Sequence, residues 1–154
     1  MRKLILFAAS GAGSGYAPLA PGTFGALVGL GLYVLLAPLP PPALAVAAVL
    51  VVGVGIPLSR AAEKIFANPD DPRITIDEVG GMLVSLVWLP VRVDVAVCGF
   101  LLFRLFDIWK PPPVDSAESL PGGFGVMADD VVAGIYANLC GQLLWRFVWP
   151  EGFA

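Results

Sequence analysis

The chain contains no histidine in 154 residues. That absence excludes Ser-His-Asp hydrolysis, HExxH zinc sites and every phosphatase built on an imidazole. Charge is scarce too. Only 14% of residues are Asp, Glu, Lys or Arg, against about 25% in ordinary soluble domains. Nine basic and twelve acidic side chains leave a net charge of −3, so no positive field draws in nucleic acid. The two cysteines, Cys98 and Cys140, lie in apolar runs. They are too few for a four-thiolate metal site and imply no disulfide framework.

What the chain has in excess is apolar surface: 58% hydrophobic residues and a mean hydropathy of +0.85. Five apolar runs cover residues 24–38, 43–58, 79–90, 95–103 and 131–149, separated by proline and charge clusters. Each is shorter than the roughly 20 residues of a full bilayer span. Five of them in so short a chain still leave too little polar surface to wrap a soluble core. Residues 2–9 echo a secretory signal, but their apolar stretch is too short for one. The pattern predicts one integral-membrane domain over 1–154. Its fold class is all-α: a compact bundle of about five short, Gly/Pro-interrupted transmembrane helices with cytoplasmic polar loops.

Crossing the runs in turn from a cytoplasmic N-terminus puts Arg2, Lys3, Arg60, Lys64, Arg73, Arg104 and Lys110 inside. Only Arg92 and Arg146 fall outside. That asymmetry is the one the positive-inside rule predicts, and Trp88, Trp145 and Trp149 fall near run ends, where indoles favour the interface. The same path gathers Asp70, Asp71, Asp77, Glu78, Asp107, Asp129 and Asp130 at the cytoplasmic ends, with Asp94 and Glu151 opposite. Convergent carboxylates suit a hard cation such as Mg²⁺, which takes oxygen ligands and keeps several waters. Arg104, Asp107 and Lys110 recur at intervals of three, on roughly one helix face. An Arg fork and a Lys point charge suit phosphate, and the Asp suits a metal.

Each cluster also has a plainer structural reading. Thr75 and Glu78 fit a capping box, which leaves Asp77 without a role. Asp129 and Asp130 suit a helix N-terminus, and Thr23 suits a cap of the first apolar helix. Asp70-Asp71-Pro72 reads as a solvated turn. Arg104 and Asp107 form an ion pair within one helix, with Lys110 snorkelling at its end. Gly11-Ala12-Gly13-Ser14-Gly15 and Gly122-Gly123-Phe124-Gly125 read either as tight turns or as loops whose amides approach an anion before a helix. Cys98 through Arg104 matches C-x5-R, but Phe-Leu-Leu-Phe between them cannot curl as a phosphate loop, so Cys98 is a packing residue.

In order and spacing, four segments closely resemble the phosphatidylglycerophosphatase A family of bacterial inner-membrane enzymes. They are Gly13-Ser14-Gly15 with Ala20-Pro21-Gly22-Thr23-Phe24-Gly25; Ile76-Asp77-Glu78-Val79-Gly80-Gly81-Met82; Phe103-Arg104-Leu105-Phe106-Asp107-Ile108-Trp109-Lys110-Pro111; and Gly122-Gly123-Phe124-Gly125-Val126-Met127-Ala128-Asp129-Asp130. The resemblance covers about residues 11–136. It implies Mg²⁺-dependent removal of the terminal phosphate of phosphatidylglycerophosphate, giving phosphatidylglycerol, at the cytoplasmic face of the inner membrane. The expected partners are that substrate and membrane lipid, with no nucleic acid and no obligate protein partner.

The family's polar positions match here as Thr23, Asp77, Glu78, Arg104, Asp107, Lys110, Asp129 and Asp130. Asp77, Glu78, Asp107, Asp129 and Asp130 are the expected catalytic and metal-holding residues, for one or two Mg²⁺. Arg104, Lys110, Thr23, Gly122, Gly123 and Gly125 are the expected phosphate contacts. Two routes stay open, a water activated by the metal and an Asp nucleophile giving an aspartyl-phosphate. Where many members of the family it resembles carry Asp-Arg before the double glycine, residues 114–120 here hold no basic residue; a basic contact to the headgroup is either absent or supplied from elsewhere, for example by Arg73. A small divalent-cation carrier or channel is the rival reading. It predicts acidic residues at mid-membrane depth and leaves Arg104 and Lys110 without a role.

Overall fold

A computed structural model describes residues 1–148. All regular structure among them is helical: α1 (Arg2–Ala9), a single 3-10 turn (Ser14–Tyr16), α2 (Pro21–Leu36), α3 (Pro41–Phe66), α4 (Ile76–Leu86), α5 (Val93–Trp109), α6 (Val114–Glu118) and α7 (Gly123–Val148). Prolines open α2 and α3, where a missing N–H costs nothing and φ is already helical. Lys110 ends α5 in a left-handed conformation, and Pro111 beyond it cannot continue the helix. Trp149 and Glu151 lie outside the described residues.

The all-helical class is as expected; the helix lengths are not. Two helices, α3 and α7, are long and apolar enough to cross a bilayer, each with 26 residues and about 39 Å long. The 16 residues of α2 fall short of that length. The apolar run at 79–90 becomes the 11-residue α4, because Val87 turns extended and Trp88 takes a left-handed φ of 57°. The carbonyls left open there are met from α7. Asn138 Nδ2 donates to Ser85 O (3.1 Å) and to Val87 O (2.8 Å). An amide in an apolar run thus closes a helix end whose buried carbonyls would otherwise lie unsatisfied.

Helix α4 is the axis of the bundle and packs against α2, α3, α5 and α7. Its Met82, Leu83 and Leu86 are fully buried, with Tyr33 of α2 and Phe103 of α5 beside them in the core. The outward faces carry large exposed hydrophobics, among them Leu35, Val49, Leu50, Leu101, Ile108 and Leu143. So broad an apolar coat is what a lipid environment covers.

Close contacts fix the helix directions. Gly80 packs near Met127, Gly81 near the Asp130 carbonyl, and Asn138 reaches Ser85, so α4 and α7 run parallel. Gly25 and Gly29 of α2 meet Thr75 and Met82 in the same sense. Helix α5 runs the other way, with Phe103 against Gly81 and Gly99 against Leu86. The starts of α2, α4 and α7 therefore meet the end of α5. At the opposite end sit Arg92 and Asp94, paired at 2.8 Å, with the Arg92 guanidinium 5.0 Å from the Trp145 ring centre.

Candidate active site

Two glycines set the distance between the central acidic residues. A Cβ on Gly81 would lie 2.6 Å from Asp130 O, and one on Gly134 only 2.5 Å from Gly81 O. The backbones of α4 and α7 touch at this crossing. One turn earlier on each parallel helix stand Asp77 and Asp130. Both are buried, at 8% and 3% exposure.

Glu78 completes a triad: one carboxylate oxygen from each of Asp77, Glu78 and Asp130 lies within 4.8 Å of the others. Asp77 Oδ1, Glu78 Oε2 and Asp130 Oδ2 are buried with no hydrogen-bond partner. Three anionic groups this close repel strongly unless a cation lies among them. The donor set is all carboxylate oxygen, the chemistry a hard divalent cation takes. The N-terminal turn of α4 carries two of the three, and its positive end favours them. The first turn of α2 also closes on the site. A Cβ on Gly22 would fall 2.2 Å from Glu78 Oε1 and 3.1 Å from Arg104 Nη1.

The remaining two expected carboxylates hold cations. Arg104 Nη1 donates to Asp107 Oδ2, and the guanidinium Nε is buried without a partner. Lys110 Nζ donates to Asp129 Oδ2 at 2.9 Å and to Glu118 Oε2 at 2.7 Å. Burial works against the Lys110 charge, but these two hydrogen bonds outweigh it and hold the ammonium above the ordinary lysine range. Asp130 feels the charges of Asp107, Asp77, Glu78 and Asp129, so the five carboxylates form one electrostatic unit. Glu118 was not foreseen.

Several local readings change. Thr75 stands at the N-cap of α4, but makes no cap hydrogen bond. Its hydroxyl instead pairs with Ser14 Oγ at 3.0 Å, and its N–H donates to Ala9 O. That frees Glu78 for the triad, so no capping box forms. Ala20, not Thr23, precedes α2, and Thr23 lies inside its first turn. Asp129 and Asp130 lie in the second turn of α7, because the helix already begins at Gly123. A Cβ at Gly123 would fall 2.1 Å from Ile56 O, and the Gly125 N–H donates to Gly122 O. Both glycines thus pack a helix start against its neighbours; Gly122, with φ of 60°, makes the turn before it.

Asp71 is not solvated. It is 4% exposed and takes hydrogen bonds from Arg73 Nε (2.7 Å), Arg73 Nη2 (2.8 Å) and Asn68. Arg73, in turn, stacks 3.8 Å over the Phe66 ring. Arg73, the example named for the missing basic contact, is thus already engaged. Cys98 and Arg104 both sit within α5, where helical backbone offers no amide loop for a thiolate phosphatase.

The profile of the family described as phosphatidylglycerophosphatase A matches residues 7–145. Phosphatidylglycerophosphatase A of Escherichia coli (strain K12) is 35% identical over 129 residues, covering 82% of this chain and 75% of that one. The Haemophilus influenzae protein of the same name is 38% identical over 133 residues, 84% of this chain and 81% of that one. A putative phosphatidylinositol-3-phosphatase of Bacteroides thetaiotaomicron is 39% identical over 139 residues, 83% and 85% of the two chains. No solved structure matches significantly. The family match and these relatives make the protein a phosphoric monoester hydrolase. The chain belongs to the phosphatidylglycerophosphatase A family.

Proposed function

We propose that the protein is a Mg²⁺-dependent lipid phosphatase, converting phosphatidylglycerophosphate to phosphatidylglycerol at the cytoplasmic face of a bacterial inner membrane. The observation that carries this reading is the buried triad of Asp77, Glu78 and Asp130, whose three unpartnered oxygens fit a hard cation. A bound Mg²⁺ would supply Lewis-acid polarisation of the phosphoryl group. The protein's own residues do the rest. Arg104 and Lys110 bind the phosphomonoester, exchanging Asp107 and Asp129 for phosphate oxygens, and the free Nε of Arg104 adds a donor. Asp107 and Asp129 hold those cations in place before substrate arrives. Thr23, the amide of Gly122 in the turn before α7 and that of Gly123 at its start border the headgroup.

The two helices long and apolar enough to cross a bilayer, α3 and α7, support a site at a membrane surface. Arg60, Lys64, Arg73, Arg104 and Lys110 in the segments that end there favour the cytoplasmic side. The carboxylates lie at helix ends beside paired cations, which opposes a cation carrier. The test is phosphate release by purified protein with Mg²⁺ from two lipids, phosphatidylglycerophosphate and phosphatidylinositol-3-phosphate. Faster release from the first is expected. Preference for the second would move the substrate to the one named for the Bacteroides relative.

A further inference from the structure

An apolar groove of about 520 Å³ runs between α3, α4 and α7, within the roughly 300–1,000 Å³ range of ligand pockets. Ala48, Val52 and Gly53 of α3, Val84 of α4, Val87 just past its end and Ile135 of α7 line it. Small residues on α3 make the hollow, and a Cβ on Gly53 would meet nothing within 4 Å. Asn138 also borders the groove, but its amide already donates to Ser85 O and Val87 O. The remaining lining is almost entirely hydrocarbon.

The groove continues the acidic site. Asp77 and Val84 are seven residues apart, two turns of α4, so they share one stripe of that helix, and Trp88 lines the groove just beyond the helix end. Val131, also in the lining, directly follows Asp130. A headgroup held at the triad leaves its lipid tails to run along α4 toward Trp88. We propose that this groove holds one acyl chain of the lipid substrate and so sets preference for chain length. The proposal rests on the lipid phosphatase reading above. The larger hollow, about 880 Å³, runs from Arg92 to Leu105 along α5 and is lined by no residue of α4 or α7, the helices that carry the triad.

Two measurements on the full chain test this. First, phosphatidylglycerophosphate carrying a mid-chain diazirine is photolysed with the protein, and the labelled peptides are mapped by mass spectrometry. Label is expected on Val49, Val52 or Ile135. It should fall at least tenfold with excess unlabelled phosphatidylglycerophosphate or in Gly53→Phe, a substitution that has open space to enter. Label on Leu101 and Leu105 of α5, or equal competition by phosphatidylcholine, overturns the proposal, the latter by showing bulk lipid in the groove. Second, phosphate release is compared for long-chain and six-carbon-chain forms of the substrate. Gly53→Phe should lower the long-to-short ratio of kcat/KM at least tenfold, and an unchanged ratio overturns the proposal. Groove labelling without phosphate release upholds the groove and tells against the hydrolase reading alone.

Discussion

Replacing Gly81 with alanine asks whether the glycine contact between α4 and α7 sets the activity. The added methyl would stand 2.6 Å from Asp130 O and 2.6 Å from Phe103 Cε2, and ordinary contact begins at 3.4 Å, so the helices must part by up to 0.8 Å. In a helix interior the change from Gly to Ala otherwise stabilises by about 0.5–1 kcal/mol, whereas overpacking costs about 1–3 kcal/mol. The fold should survive. The site should not, because the wedge bears on the Asp130 backbone itself and Asp77 lies one turn before it, and a misplacement of about 1 Å can cost roughly 100-fold in rate. We expect Gly81→Ala to lose 10- to 100-fold in kcat, in a phosphate-release assay at saturating Mg²⁺, with thermal melting in detergent shifted only modestly. Gly31→Ala, in open space on α2, serves as the control and should stay at the parent rate. Full activity in Gly81→Ala would refute the claim that this crossing sets the triad.

Asn138→Leu strips the amide from Ser85 O and Val87 O and should destabilise by about 1–3 kcal/mol per buried acceptor, read as a lower detergent melting temperature. Hydrogen bonds from Arg73 hold the Asp71 carboxyl well below the usual range. That contribution is complete above the unfolded Asp value of about 3.9 and fades as pH falls toward the folded value. The parent melting temperature should therefore drop more steeply below about pH 4 than that of Asp71→Asn. Cys98→Ser should keep phosphate release within about threefold of the parent, since a helical cysteine has no amide loop to make it a nucleophile.

Patterns repeated along one helix were legible from sequence; contacts between distant segments were not. The acidic residues of four segments, and the pairing of Arg104 with Asp107, followed from apolar periodicity and spacing. Thr75 misled because its hydroxyl finds Ser14, 61 residues away, and no local rule anticipates that. Gly123 and Gly125 looked like a loop, since glycine breaks helices on average. Here the missing side chains let a helix start press against Ile56 and Leu120. Asp71 looked like an exposed turn residue, and its burial depends on Arg73 lying over Phe66. The early end of α4 depends on Asn138, whose role appears only when α7 lies alongside.

Phosphate release from phosphatidylglycerophosphate tests the central claim most directly when run on the parent protein and on Asp130→Asn, each with Mg²⁺ and with excess EDTA. The account predicts release by the parent with Mg²⁺, restored when metal returns after chelation. It predicts at least a thousandfold loss in Asp130→Asn, because the amide lacks the charge that the buried, unpartnered Asp130 Oδ2 offers a cation. Release that persists in EDTA, or an Asp130→Asn protein working near the parent rate, would contradict it.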